Sequence, residues 1–308
     1  MERKPIVEIK NVKKIIGVKK IIDNISFEIY PGEIFGFLGP NGAGKTTTIR
    51  MMVGLMEITE GEILINGFSI KKNFEQAISY VGGIVENPEM YKFLSGYKNL
   101  VHYARMVKGV GKERIDQVVK LVGLESRIHD KVRTYSLGMR QRLGLAQALL
   151  HSPSILILDE PVNGLDPAGI REFRDYLKKL AKEENIAVMI SSHILAEIEL
   201  ICDRIGIIQQ GKLVGVQSVN EFVNDSESTV VQFIIDSAAK AKKYLAKEII
   251  DQTYPDSGNE IHLKLKREEI PEITSLLVQN GVKIYGIKTI SKSLEEKFLE
   301  VTGGKQIG

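Results

Sequence analysis

Apolar and polar residues alternate over residues 6–30, with Val7 and Ile9 and then Ile25, Phe27 and Ile29 on one face. That period of two predicts β-strand. Pro31-Gly32 ends the stretch as a turn, and Glu33–Leu38 reads as a short apolar strand running into a glycine-rich loop. A helix is predicted over Thr46–Met56, ended by Glu57–Gly61, with another strand and turn over 62–70. From about 88 to 151 the period becomes helical. Leu94, Leu100, Val101, Ala104 and Met106 form one stripe, Ile115, Val118, Val119 and Val122 a second, and Leu143, Ala146, Leu149 and Leu150 a third. Strands return at Ile155–Leu158 and Ile186–Ile190, separated by a helix over 168–184. A helix over 194–205 puts Ile194, Ile198, Ile201 and Ile205 on one face, and two strands around Ile207–Val216 follow. Strands alternating with helices predict an α/β fold with a mostly parallel sheet.

A polar, acidic stretch at Val223–Ser228 reads as a linker. Beyond it the order is strand 229–235, helix 237–246, strand 248–254, strand 260–266, helix 268–279, strand 282–288 and a last helix over 293–301. That is the split βαβ order of a small α+β ferredoxin-like sandwich. The expected domains are therefore 1–222, with a helical subdomain over about 88–151, and 228–308.

Composition narrows the class. At 308 residues the chain has room for about two domains. Its 43% apolar and 26% charged residues support a core of ordinary size without a disulfide or metal staple. A net charge of +3 is too small to argue for nucleic acid. Cys202 is the single cysteine, which excludes an intrachain disulfide, and its apolar surroundings predict a buried thiol. The N-terminus carries no signal-like apolar region. No apolar stretch approaches the ~18 residues of a spanning helix. A soluble chain that reaches a membrane only through a partner is expected.

The glycine-rich loop is Gly39-Pro40-Asn41-Gly42-Ala43-Gly44-Lys45-Thr46, followed by Thr47. It matches the phosphate-binding loop G-x-x-x-x-G-K-[ST] in full, between a strand and a helix. Glycines let several backbone N–H groups turn toward one anion, and the helix start adds its positive end. Lys45 is placed to reach the β and γ phosphates and the Thr46 hydroxyl to ligate Mg²⁺. The competing reading is a chance glycine-rich turn, which the strand–loop–helix setting disfavours.

Ile155-Leu156-Ile157-Leu158-Asp159-Glu160 is an apolar run closed by two acids. Such a run is what a parallel strand buried on both faces looks like, and ligands in these sheets sit off the carboxyl ends of the strands. Asp159 is then read as a Mg²⁺ residue and Glu160 as the group that orients or deprotonates attacking water. An acid pair at a helix start is the plainer alternative when the run is taken alone.

Between these motifs lie the helical stretch and, at its end, Ser136-Leu137-Gly138-Met139-Arg140-Gln141. Ser136 could simply cap a helix. The segment also resembles, in divergent form, the signature of the ATP-binding-cassette (ABC) family, with Ser136, Gly138 and Gln141 kept. Asn163-Gly164-Leu165-Asp166 is similar to that family's D-loop, and Ser191-Ser192-His193 to its switch histidine. Together the motifs span 6–216 in the family's order. The resemblance implies a P-loop NTPase cassette that binds ATP and Mg²⁺ and hydrolyses ATP, with Lys45, Glu160 and His193 in catalytic roles. It implies a homodimer in which Gly39–Thr47 of one cassette and Ser136, Gly138, Gln141 and Asp166 of the other enclose each nucleotide. It also implies separately encoded transmembrane permease subunits, and a cytoplasmic place on the inner face of the cell membrane.

Two positions depart from the family. Glu86 stands where the family has a glutamine; a carboxylate can ligate Mg²⁺ and accept from water but cannot donate. Cassettes of the bacitracin and lantibiotic exporters share that feature, which points to export of a peptide antibiotic or drug. Near Lys13–Gly17, where the family stacks adenine on an aromatic ring, the chain has Ile15 and Ile16; Tyr30 is a substitute or an edge-strand residue. Tyr91, Phe93 and Leu94 either receive a permease helix or pack in the helical subdomain. His262 reads as a solvated strand residue. The C-terminal unit resembles an accessory domain that stabilises the dimer or regulates it. An alternative is a soluble ABC-type ATPase acting on nucleic acid or the ribosome; the chain has neither heptad arms nor a second P-loop. A nucleotide-binding regulator without turnover is disfavoured by intact Lys45, Asp159, Glu160 and His193.

Overall fold

A computed structural model describes residues 3–86, 88–192, 194–224, 229–251, 257–290 and 293–302. The chain divides into two compact units, Met1–Val219 with Thr302–Gly308, and Asn220–Val301.

The first unit opens with β1 (Val7–Ile16), β2 (Lys19–Ile29) and β3 (Ile34–Leu38), then α1 (Lys45–Met52), β4 (Glu60–Ile65), β5 (Phe68–Ser69), α2 (Phe74–Ile78) and β6 (Val81–Ile84). Three helices follow, α3 (Gly96–Ala104), α4 (Lys112–Leu121) and α5 (Leu137–Ala148). The unit closes with β7 (Ile155–Asp159), α6 (Pro167–Glu183), β8 (Ala187–Ser191), α7 (Leu195–Ile201), β9 (Arg204–Gln209) and β10 (Lys212–Ser218), and α8 (Val219–Asn224) runs out of it. Two sheets form, an antiparallel one in the order β2-β1-β4-β5 and a six-stranded one in the order β10-β9-β3-β8-β7-β6. All neighbours in the second are parallel except β10 against β9. Every residue of β3, β7 and β8 is buried, as a strand covered on both faces requires. Phe27 of the antiparallel sheet stacks on Phe35 at 5.3 Å and on Phe37 at 5.4 Å, joining the two sheets through one core.

The helix expected over 194–205 stops at Ile201. Ile198 and Ile201 are buried as the stripe requires, but Ile205 lies in β9. Pairing wins there. Asp203 accepts the Ile34 N–H, and the chain enters β9 with Arg204 beside Phe35 of β3. Cys202 is buried, and burial pushes its thiol well above the ordinary range. Met106 falls outside its stripe and is exposed, beyond the end of α3.

The second unit contains β11 (Thr229–Ile235), α9 (Ala238–Ala241), β12 (Glu260–Leu265), α10 (Ile270–Gln279), β13 (Ile284–Ile290) and α11 (Leu294–Thr302). Its described sheet is three-stranded and antiparallel, in the order β12-β11-β13. The strand expected at 248–254 is a 3₁₀ turn over Lys247–Ile249 and one antiparallel bridge from Ile250 to Leu263; residues 252–256 lie outside the described ones. Val231 faces Leu263 and Phe233 faces Ile261, and this face packs with Leu277 of α10. His262, on the opposite face beside Gln232, is 6% exposed. The solvated position expected for it is therefore wrong; alternation along β12 places it off the core face, where it is buried although Glu260 on the same face is half-buried and Lys264 exposed.

Glu33 and Arg204 anchor the amino ends of β3 and β9. Arg204 Nη1 lies 3.0 Å from Glu33 Oε1, with side chains 28% and 5% exposed. Its guanidinium stacks over Tyr30 at 5.3 Å, and Glu33 also accepts the Tyr30 N–H. Tyr30 is thus held in the fold, with its hydroxyl on Glu28. Arg204→Ala leaves the Glu33 carboxylate buried without its cation. It is expected to lower the stability of the first unit by about 2–4 kcal/mol in urea denaturation; a loss below about 0.5 kcal/mol would mean that water replaces the guanidinium there.

Candidate functional site

Register sets the geometry. Phe37 of β3 pairs with Ser191 of β8, and Ser191 pairs with Asp159 of β7. The loop leaving β3 and the acids ending β7 therefore share one sheet edge, two strand spacings or roughly 10 Å apart. The loop backbone is tightly constrained. Gly44 caps α1 with φ +114°, and a Cβ there would meet Ile22 Cδ1 at 2.4 Å. A Cβ on Gly39 would come within 2.3 Å of the Ile208 carbonyl oxygen. Asn41 and Gly42 are exposed at the loop tip, with Pro40 and Ala43 buried beneath it. Thr46 and Thr47 are half-buried in the first turn of α1.

Lys45 is 7% exposed, and its ammonium donates to the carbonyls of Gly39 at 2.5 Å and Pro40 at 3.4 Å. Burial lowers its pKa from 10.5, opposed by the charges of Glu160 and then Asp159. Those two carboxylates therefore act on the same ammonium. Between the lowered value and 10.5 the unfolded chain holds more protons than the folded one, so this group adds stability as pH rises through that window.

Ser191 ties the acids together. Its hydroxyl donates to Asp159 Oδ1, and its carbonyl and hydroxyl oxygens accept the Glu160 N–H at 3.2 and 3.1 Å. Asp159 is buried, whereas Glu160 is half-buried with φ +51°, a conformation that favours glycine. The S-S-H segment at a strand end was the only sequence signal for Ser191. His193 lies outside the described residues.

A second constellation lies around the starts of α5 and α6. Ser136 caps α5 by accepting the Met139 N–H, and Asp166 caps α6 by accepting the Gly169 N–H at 2.8 Å. Ser136, Gly138, Met139, Arg142, Gly164 and Asp166 help to line one open groove of about 450 Å³. Gln141 does not line it. That residue is 2% exposed, and its Oε1 has no hydrogen-bond partner among the described residues. In this conformation α5 turns Gln141 inward, away from the groove.

A family model described as ABC transporter matches residues 22–163. An uncharacterised ABC transporter ATP-binding protein of Bacillus subtilis, YhcH, is 58% identical, with 97% of each chain covered. The bacitracin transport ATP-binding protein BcrA of Bacillus licheniformis is 39% identical over 98% of this chain and 99% of its own. The chain belongs to the ATP-binding subunits of ABC transporters. A lantibiotic transport ATP-binding protein of Streptococcus pyogenes, SrtF, is 39% identical over 71% of this ABC subunit and 96% of its own length. A solved ATP-binding subunit of an ABC transporter superposes with a TM-score of 0.64 at 28% identity, covering 71% of this chain and 92% of that one. The protein cbiO1 of Clostridium perfringens, part of the ABC transporter complex cbiONQ, gives 0.66 at 25%, covering 70% and 90%. None of these relatives is named for nucleic acid or the ribosome, so the alternative on those targets has no support.

The ABC subunit is thus an ATP-binding ATPase cassette. Where it departs from its family, Glu86 has φ +68° and its carboxylate pairs with Arg50 of α1 at 2.7 Å. Sequence reasoning missed Arg50 because nothing local joins two positions so far apart. Ile15, Ile16 and Val18 are exposed. Tyr30, under Arg204, is occupied as a strand-end residue.

Lys45→Met removes a buried ammonium and keeps an apolar side chain of similar reach. The nucleotide-free variant is expected to stay within about 1 kcal/mol of its parent and to lose the gain in stability toward pH 10.5. Thermal melts at several pH values check this; a drop of several kcal/mol would contradict it.

Proposed function

We propose that this ABC subunit powers a membrane exporter of a peptide antibiotic or drug, hydrolysing ATP held with Mg²⁺ between two cassettes. The observation that carries the reading is the convergence of Lys45, Asp159 and Glu160 on one sheet edge. Backbone N–H groups of Gly39–Thr47 would cradle the phosphates, with Lys45 leaving its loop carbonyls to meet them. Thr46 and Asp159 would hold Mg²⁺, with Glu86 as a further carboxylate on the metal side. Asp159, buried at the end of β7, and Thr46, in the first turn of α1, are the kind of oxygen donors that such an ion takes together with substrate phosphates and water. Glu160 would orient or deprotonate the attacking water, with His193 near the γ-phosphate.

The groove at Ser136 and Asp166 would face the nucleotide of a second copy. Two capped helix starts offering N–H groups suit an anion, and a two-fold pair completes both sites at once. No described helix is long and apolar enough to cross a membrane, so permease subunits on the membrane would supply the channel. Tyr91 and Phe93 are 43% and 70% exposed and Leu94 half-buried, which suits a permease contact on the cytoplasmic side. Export of a peptide antibiotic rests on the bacitracin and lantibiotic relatives. The C-terminal unit, read as a ferredoxin-like domain, would stabilise the pair or regulate it.

Glu160→Gln is expected to slow phosphate release at least ~100-fold while ATP affinity stays within about threefold. Retained turnover would remove Glu160 from the reaction. Phe93→Asp is expected to keep the turnover of the isolated subunit and abolish its stimulation by the permease. Normal stimulation would move the contact elsewhere.

A further inference from the structure

We propose that Arg50 is a positioning residue for Glu86, holding its carboxylate on α1 in the resting subunit and competing for it with the metal side of the nucleotide site. The inference rests on the reading of Glu86 as a metal-side residue.

Arg50 Nη2 and Glu86 Oε1 are 2.7 Å apart, with side chains 40% and 68% exposed. Arg50 lies in the last turn of α1, the helix that begins with Lys45. A cation is favoured at that helix end, so Arg50 keeps a reason to stay there when Glu86 departs. The φ of Glu86, +68°, is unfavourable for a residue with a Cβ, and strained conformations of this kind cluster at functional and switch segments. Two residues further on, Pro88 packs directly against α5: a Cβ on Gly144 would come within 2.7 Å of Pro88 Cβ. The Glu86 segment thus sits between the helix that follows the phosphate loop and the helix capped by Ser136.

Glutamine in place of Glu86 could not form this charged pair. The carboxylate creates both an acceptor for a divalent cation and a partner for Arg50. While the guanidinium holds one oxygen, it neutralises the charge that a cation would use. An exposed pair of this kind shifts an equilibrium by about two- to fivefold, and salt screens it. Arg50 is therefore a weak, reversible hold: it sets how readily Glu86 turns toward nucleotide without locking it.

The test uses the full chain with Mn²⁺ and a nonhydrolysable ATP analogue, reading free Mn²⁺ by electron paramagnetic resonance. Arg50→Gln is expected to tighten Mn²⁺ binding about two- to fivefold. Arg50→Lys, which retains a cation for the carboxylate, is expected to stay within about twofold of the parent. In a Glu86→Gln background Arg50→Gln is expected to change nothing. Equal tightening in both backgrounds would reduce Arg50 to a through-space charge and overturn the proposal, as would no tightening in either. If Glu86→Gln weakens Mn²⁺ binding while Arg50→Gln has no effect, the role of Arg50 fails and the reading of Glu86 stands. If Glu86→Gln leaves Mn²⁺ affinity unchanged, the reading of Glu86 fails and takes the proposal with it.

Discussion

The parallel pairing of β3, β8 and β7 is the constraint on which the molecule depends. It sets Phe37, Ser191 and Asp159 at one level, so two segments distant in sequence end side by side. A slip of one residue in any of these strands would turn its side chains to the opposite face. Burial on both faces does not forbid such a slip by polarity alone, since either face is apolar. Shape does: Phe35 and Phe37 interlock with Phe27 of the other sheet, and Gly206 lies beside Phe35, where a Cβ would come within 2.8 Å of the ring. Ser191 then converts strand register into site geometry, because its one hydroxyl serves Asp159 and the backbone of Glu160 together.

The site is held at a cost to the fold. An ammonium is buried at Lys45 against its own loop carbonyls, and Glu160 and Glu86 adopt left-handed backbone angles without being glycine. Gln141 keeps a buried oxygen without a partner among the described residues. Each departs from what stability alone selects, and all four lie in or beside motifs that the family shares. The buried parallel strands and the stacked phenylalanines supply the offsetting core.

Much of this was legible in the chain because its determinants are local. A glycine-rich loop between an apolar strand and a helix, and two acids closing an apolar run, carry their chemistry in consecutive residues. Ser136 and Asp166 were recognisable by their motifs, and both do cap helices. What escaped was set at long range. Ile205 fits a helical stripe after Ile201, yet pairing with β3 draws it into a strand. Ile249 and Ile250 have strand character, but of the two only Ile250 finds a strand partner among the described residues. Arg50 and Glu86 meet only in the folded chain, where Val53 at the end of α1 lies beside Gly83 of β6. Gln141 matches a motif residue by type, while the turn of α5 decides that it points inward.

The central claim is that the loop Gly39–Thr47 and the acids at 159 and 160 serve one triphosphate. A crystal structure of the full chain with Mg²⁺ and a nonhydrolysable ATP analogue tests it most directly. The account predicts the Lys45 ammonium within hydrogen-bonding reach of the β and γ phosphates, and the Thr46 hydroxyl at about 2.1 Å from a metal ion that Asp159 also holds, directly or through water. A nucleotide seated on the loop with both carboxylates out of reach of its phosphates and metal would contradict it.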